Sequence, residues 1–162
     1  MVDVFSRTSL YLETFCNGHS IGIATGFLYY HDPADLFLVT NWHVLSGRNY
    51  QTGQPMHLMG AIPDKLSVSY YSTKSLLLKK VEYDLVVNGV TKWFQNSAGQ
   101  EVDIAALNVN GLNDAFIVNQ IRQQDDMALK VALDVFVVGF PLGITGGAIR
   151  FGKEPALPPS PV

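Results

Sequence analysis

The chain has 162 residues, of which 48% are hydrophobic and 15% charged, enough apolar material to bury a core, and this excludes a disordered polypeptide. Its length suits about one domain, and no stretch approaches the roughly 20 uninterrupted apolar residues of a membrane-spanning helix, so no membrane partner is expected. Eleven basic against fourteen acidic residues leave a formal charge of −3 with no basic stripe to neutralise a row of phosphates, so no nucleic-acid partner is expected either.

Cys16 is the single cysteine, which rules out an intrachain disulfide and a cysteine-built zinc site and points to a reducing compartment. Residues 1–7 carry an acid early and no apolar run of signal-peptide length, so a cytoplasmic location is expected.

In chain order, β-branched and aromatic residues come in short runs separated by Gly, Pro, Asn, Asp and Ser, the rhythm of strands. The first strand is predicted at residues 9–15. The second spans residues 20–30, where one parity holds Ile21, Ile23, Thr25, Phe27 and Tyr29 and the other Gly22, Ala24, Gly26, Leu28 and Tyr30. Large side chains thus share one face and mostly small ones the other, which permits tight bending. His31-Asp32-Pro33 marks a turn into a buried strand at 36–40, making a hairpin with the strand before it. Further strands are predicted at 66–72, 76–87, 104–109 and 131–140. Phe116, Ile117 and Ile121 recur at helical intervals and predict one short helix over 113–124. The fold class is therefore mostly β, a barrel or sandwich. Four of the eight prolines, Pro155, Pro158, Pro159 and Pro161, crowd the last eight residues and predict an extended tail.

The four histidines, His19, His31, His43 and His57, are spaced unlike common zinc motifs, so no metal and no cofactor is expected. His43 stands apart from the others because it follows a buried strand and precedes a turn, a rigid base with an exposed tip. Asp103, in Glu101-Val102-Asp103-Ile104-Ala105-Ala106-Leu107, sits at the mouth of another apolar run. A carboxylate there needs a partner: an imidazole N–H would serve, and so would nearby backbone amides.

Four segments together resemble the N-terminal part of trypsin-like serine peptidases of the chymotrypsin fold, in their bacterial, disulfide-free form. Gly22-Ile23-Ala24-Thr25-Gly26-Phe27-Leu28 is similar to the strand before the catalytic histidine. Leu38-Val39-Thr40-Asn41-Trp42-His43-Val44 is similar to the histidine strand, with Thr40 and His43 in the family's places. Val102-Asp103-Ile104-Ala105-Ala106-Leu107 resembles the aspartate motif, and Val135-Phe136-Val137-Val138-Gly139-Phe140-Pro141-Leu142-Gly143 the opening of the second barrel. The resemblance implies a closed antiparallel six-stranded barrel over residues 1–130, the start of a second barrel at 131–150 and a proline-rich tail at 151–162. It also implies His43 as general base, Asp103 as the group that fixes its tautomer, and a peptide or protein substrate.

The family's nucleophilic serine lies in a Gly-x-Ser-Gly setting whose amides form the oxyanion hole, and this sequence has no such motif. Ser160 is the only serine after Ser97, but it lies in Leu157-Pro158-Pro159-Ser160-Pro161-Val162. Pro158 stands where an N–H donor is needed, and the loop glycines are missing, so Ser160 is not expected to be a nucleophile. Gly139-Phe140-Pro141-Leu142-Gly143-Ile144-Thr145-Gly146-Gly147 lacks phosphate-loop spacing and reads as a turn between barrels. Lys79-Lys80 and Gln123-Gln124-Asp125-Asp126 read as solvated residues that discourage sheet edges from pairing.

Two functions are expected from these readings. The first is the His- and Asp-bearing N-terminal part of a trypsin-like serine endopeptidase, inactive alone, its nucleophile supplied by a second barrel. The alternative is a catalytically inactive peptidase-like barrel used for binding or scaffolding, its apolar cleft face covered by a copy of itself or by the missing barrel.

Overall fold

The computed structural model describes residues 4–32, 34–120, 135–138 and 148–151. A short helix α1 (Val4–Thr8) leads into strands β1 (Leu10–Cys16), β2 (His19–Asp32) and β3 (Asp35–Thr40), followed by the one-turn helix α2 (Trp42–Ser46). Strands β4 (Lys65–Tyr71), β5 (Leu78–Asp84), β6 (Val86–Val87), β7 (Val90–Thr91), β8 (Trp93–Gln95) and β9 (Ala105–Asn108) come next. β10 (Val135–Val138) and β11 (Ala148–Phe151) pair with each other as a separate antiparallel hairpin. No helix among the described residues is long and apolar enough to cross a membrane.

Seven strands form one antiparallel sheet in the order β5-β4-β1-β2-β3-β9-β8. The β1–β2 turn is Asn17-Gly18, both at positive φ (50° and 79°), which gives the two-residue connection whose twist matches its flanking strands. The predicted β2–β3 hairpin is present, pairing Leu28 with Leu38 and Tyr30 with Leu36. The bulky face of β2 turns outward, leaving Ile23, Phe27 and Tyr29 exposed, while Leu28 is buried. Neighbouring strands stand close on the inward, smaller face: a Cβ on Gly26 would lie 2.9 Å from Leu12 Cδ1 of β1 and 3.0 Å from Val39 O of β3. Leu10, Leu12, Leu28, Leu38, Leu66, Val68 and Leu107 join one continuous core, and Val81 and Tyr83 of β5 and Trp93 of β8 pack against it, so both end strands of the ladder border the same interior.

The expected six-stranded closed barrel differs from this arrangement in two respects. The ladder has seven strands, and no pairing joins β5 to β8 among the described residues. The predicted strand at 76–87 is interrupted at the buried Leu85, where β6 and β7 form a side hairpin around Asn88-Gly89. The chain then returns, Lys92 N–H donating to Leu85 O at 2.9 Å, and continues as β8. The two ends of the ladder are thus nearly consecutive in the chain.

The predicted helix at 113–124 is not formed over its described part, which holds only a 3-10 turn, Val118–Gln120. Asp114 instead ties residues 112–117 to β4, taking hydrogen bonds from Tyr70 Oη (3.1 Å) and Ser72 Oγ (2.8 Å). Leu112, Ala115 and Ile117 are buried in the core. Their spacing serves a strap laid across the sheet, not a helical stripe. The glycine-rich turn at 139–147 and the proline-rich tail beyond Phe151 lie outside the described residues.

Candidate functional site

β3 ends at Thr40, whose buried hydroxyl donates to Thr25 O at 2.8 Å and so fixes the strand end against β2. Asn41 is extended (φ −72°, ψ 145°) and α2 begins immediately after it. Gly47 stops the helix in the left-handed conformation (φ 65°), its N–H on His43 O at 3.0 Å. Glycine is needed there twice over, for the positive φ and because a Cβ would overlap Pro63 Cδ. Trp42, Leu45 and Ser46 are buried, and Trp42 Nε1 donates to Gln95 Oε1 at 2.7 Å, tying the helix to β8. His43 is left on the outer side of a helix anchored at both ends, its side chain 30% exposed.

Asp103 lies just before β9, the strand paired with β3, and that pairing carries it to the start of α2. His43 Nδ1 is 2.8 Å from Asp103 Oδ2 and 3.0 Å from Oδ1, inside the reach of about 2.6–3.2 Å that proton transfer and ring orientation require. The same carboxylate accepts the backbone N–H of His43 at 2.9 Å and Asn41 Nδ2 at 3.2 Å. Asn41 Nδ2 also donates to Asp103 O at 3.1 Å. A carboxylate can only accept, so Nδ1 carries the hydrogen and Nε2 of the neutral ring carries the lone pair. Nε2 has no hydrogen-bond partner among the described residues.

Compared with known proteins, this chain matches no family model, no curated protein and no solved structure. What the site can do therefore follows from its own geometry.

Of the residues singled out from sequence, His43 and Asp103 meet, while Ser160 lies outside the described residues. Two neighbours escaped the sequence reading. Asn41 carries a detectable signal, an asparagine directly before a helix start, but its amide serves Asp103 and not its own helix. Tyr50 lies beside the histidine, ring centroids 6.5 Å apart and planes tilted by 37°, presented by an Asn49-centred turn, and no local pattern announces it.

Beside His43 runs a groove walled by Ile21, Ile23, Val44, Met56, His57 and Pro63. Met56 is exposed, as are Leu58 and Met59 just after it in the chain. Among the described residues no three His, Cys, Asp or Glu side chains gather closely enough to hold a metal ion. The arrangement can hold an imidazole in one tautomer, offer a basic nitrogen, and balance the charge that appears when that nitrogen takes a proton.

Proposed function

We propose that this chain carries the base half of a trypsin-like serine peptidase site, with His43 as general base and Asp103 as the group that orients it. The observation that carries this reading is the 2.8 Å contact between His43 Nδ1 and Asp103 Oδ2. In the proposed reaction His43 Nε2 removes the proton of a serine hydroxyl as that oxygen attacks a peptide carbonyl. Asp103 stabilises the imidazolium, which then gives the proton to the departing amine. The serine and its oxyanion hole come from a second barrel outside these residues, since no Gly-x-Ser-Gly occurs here. A single antiparallel ladder whose strands share one core, with its two end strands near each other in the chain, supports a mostly β body of that family's kind.

The test is cleavage of a peptide library by this chain alone and by the chain extended with any coding sequence that follows Val162. The extended protein is expected to cleave and to lose activity on His43→Ala, while the 162 residues alone neither cleave nor take a fluorophosphonate label. Labelling of Ser160, or an extended protein that cleaves equally well without His43, overturns the proposal.

The exposed Met56 of the groove, with exposed Leu58 and Met59 following it in the chain, favours a second reading, a peptidase-like body that binds an apolar partner without catalysis. Under that reading His43→Ala leaves partner affinity unchanged.

A further inference from the structure

We propose that the open edge of β5 is a self-association surface, pairing antiparallel with β5 of a second copy about a two-fold axis at Val81. This inference rests on the open end of the ladder and makes no use of the His43–Asp103 pair. β5 closes one end of the seven-stranded ladder and pairs only with β4 among the described residues. It is seven residues long, with neither proline nor bulge, and so offers an intact row of backbone donors and acceptors.

The backbone sets which groups are offered. In the β4–β5 register Ser72 N–H bonds Leu77 O and Leu85 N–H bonds Asp64 O. In an antiparallel ladder bonded pairs alternate, so the odd residues Lys79, Val81 and Tyr83 exchange bonds with β4. The even residues Leu78, Lys80, Glu82 and Asp84 direct their N–H and C=O groups to the open edge.

The side chains then choose the register. A two-fold axis normal to the sheet keeps each face with its like, so directly opposed residues have the same parity and the axis passes through a residue. An axis at Lys80 opposes two ammonium groups, and one at Glu82 opposes two carboxylates. An axis at Val81 places Lys80 opposite Glu82 of the second copy, twice, with no like charges opposed. Lys80 and Glu82 do have intrachain partners, Glu13 (3.5 Å) and Lys65 (3.2 Å), but both pairs are on the surface and exchange readily.

Apolar surface agrees with that register. Leu76, Leu77 and Leu78 at the hairpin tip are 53%, 68% and 62% exposed, and Leu76 is held at φ 56°, a costly conformation for a leucine. With the axis at Val81 the tip runs toward Val86 and Val87 of the second copy, which are also exposed. The lysines that ward off an arbitrary strand therefore meet acids when the strand is their own.

The test uses the full chain in analytical ultracentrifugation across the micromolar range. Wild type is expected to dimerise, and K80E and E82K are each expected to raise the dimer Kd by about tenfold or more, since each converts two opposite-charge pairs into like-charge pairs. Mixed in equal amounts, the two variants are expected to form a heterodimer of near wild-type affinity, because one presents two carboxylates and the other two ammonium groups. In unmodified protein the amides of Lys80 and Glu82 are expected to exchange more slowly as concentration rises. A monomeric wild type overturns the proposal, including one whose edge takes another protein's strand or a lipid surface. So do variants that dimerise like wild type, folded variants whose mixture stays monomeric, or concentration-independent exchange at both amides.

Discussion

Asp103 holds His43 at two points, accepting the ring Nδ1–H at 2.8 Å and the residue's own backbone N–H at 2.9 Å. The first contact sets the imidazole and the second sets the opening turn of α2, so one acid fixes both the ring and the helix that carries it. The carboxylate fills the place a helix-capping side chain would take. Asn41, at the cap position, instead spends its amide on Asp103. Orientation of the base and stability of its support are therefore coupled.

That coupling predicts two separable effects. Asp103→Ala leaves the two His43 N–H groups without their acceptor, while the Asn41 amide keeps the Asp103 backbone oxygen, and is expected to cost about 1–3 kcal/mol in urea unfolding. Asp103→Asn keeps an acceptor oxygen and should cost less. Its amide can also donate, however, so the preference for hydrogen on Nδ1 is lost. Imidazole 15N shifts report this directly: wild type is expected to show the Nδ1–H tautomer, and D103N a mixture. Identical shifts in the two proteins would mean that the contact does not orient the ring.

The strand pattern was legible because it is local. Alternation in residues 9–15 and 20–30, the His31-Asp32-Pro33 turn and the apolar run at 36–40 correspond to β1, β2 and β3. The interruption at Leu85 was not legible, because a buried leucine inside an apolar run looks like a continuing strand. Asn88-Gly89 was the available sign of a hairpin there. The helix expected at 113–124 shows the converse limit. Phe116, Ile117 and Ile121 recur at helical intervals in the sequence, but Asp114 is bound by Tyr70, Ser72 and Lys79, partners 35 to 44 positions away, and this outweighs a propensity worth tenths of a kcal/mol per residue. At the site, His43 and Asp103 could be singled out by their places at the ends of apolar runs. The contributions of Asn41 and Tyr50 depend on how the β3–β9 pairing and the Asn49 turn bring distant segments together.

Glycines on the inner face of β2 should rank by what stands against them. A methyl at Gly26 would meet Leu12 Cδ1 at 2.9 Å and the backbone oxygen of Val39 at 3.0 Å, and a carbonyl locked in a sheet cannot withdraw. Gly26→Ala is expected to cost about 1–3 kcal/mol. At Gly22 the nearest atom is the Thr14 hydroxyl at 3.0 Å, which can move by giving up its bond to Gly22 O. Gly22→Ala should therefore cost less, and paired urea titrations that reversed this order would contradict the close approach of Leu12 and Val39 to Gly26.

Ser67 predicts a change of the opposite sign. Its hydroxyl is buried with no partner among the described residues, although Glu13 and Glu82 flank it across the sheet. Glu13 already accepts from Ser20, and Glu82 from Lys65. A buried hydroxyl without a bond is a desolvation cost, so Ser67→Ala is expected to stabilise by about 1 kcal/mol. A loss of that size in thermal unfolding would show that the hydroxyl has a partner in solution, such as an ordered water.

The strap across the sheet should give the fold an acid-sensitive limb centred on Asp114. Lys79 and Ser72, with a smaller contribution from Tyr70, hold its carboxyl down from the ordinary 3.8 to about 2. A folded-state value below the unfolded one means that the unfolded chain takes up the proton first. The contribution is therefore whole above about pH 4 and is lost as pH falls through about 2. On the alkaline side Asp114 raises the Lys79 ammonium above its ordinary 10.5, so the pair's contribution persists below that pH and is lost as pH rises through the higher folded value. Asp114→Asn removes both limbs at once. Urea midpoints measured at intervals between pH 5 and 2 are expected to fall more steeply for wild type than for D114N, with the curves converging at the acid end. Parallel curves over that range would show that the carboxylate is not held by these three donors in solution.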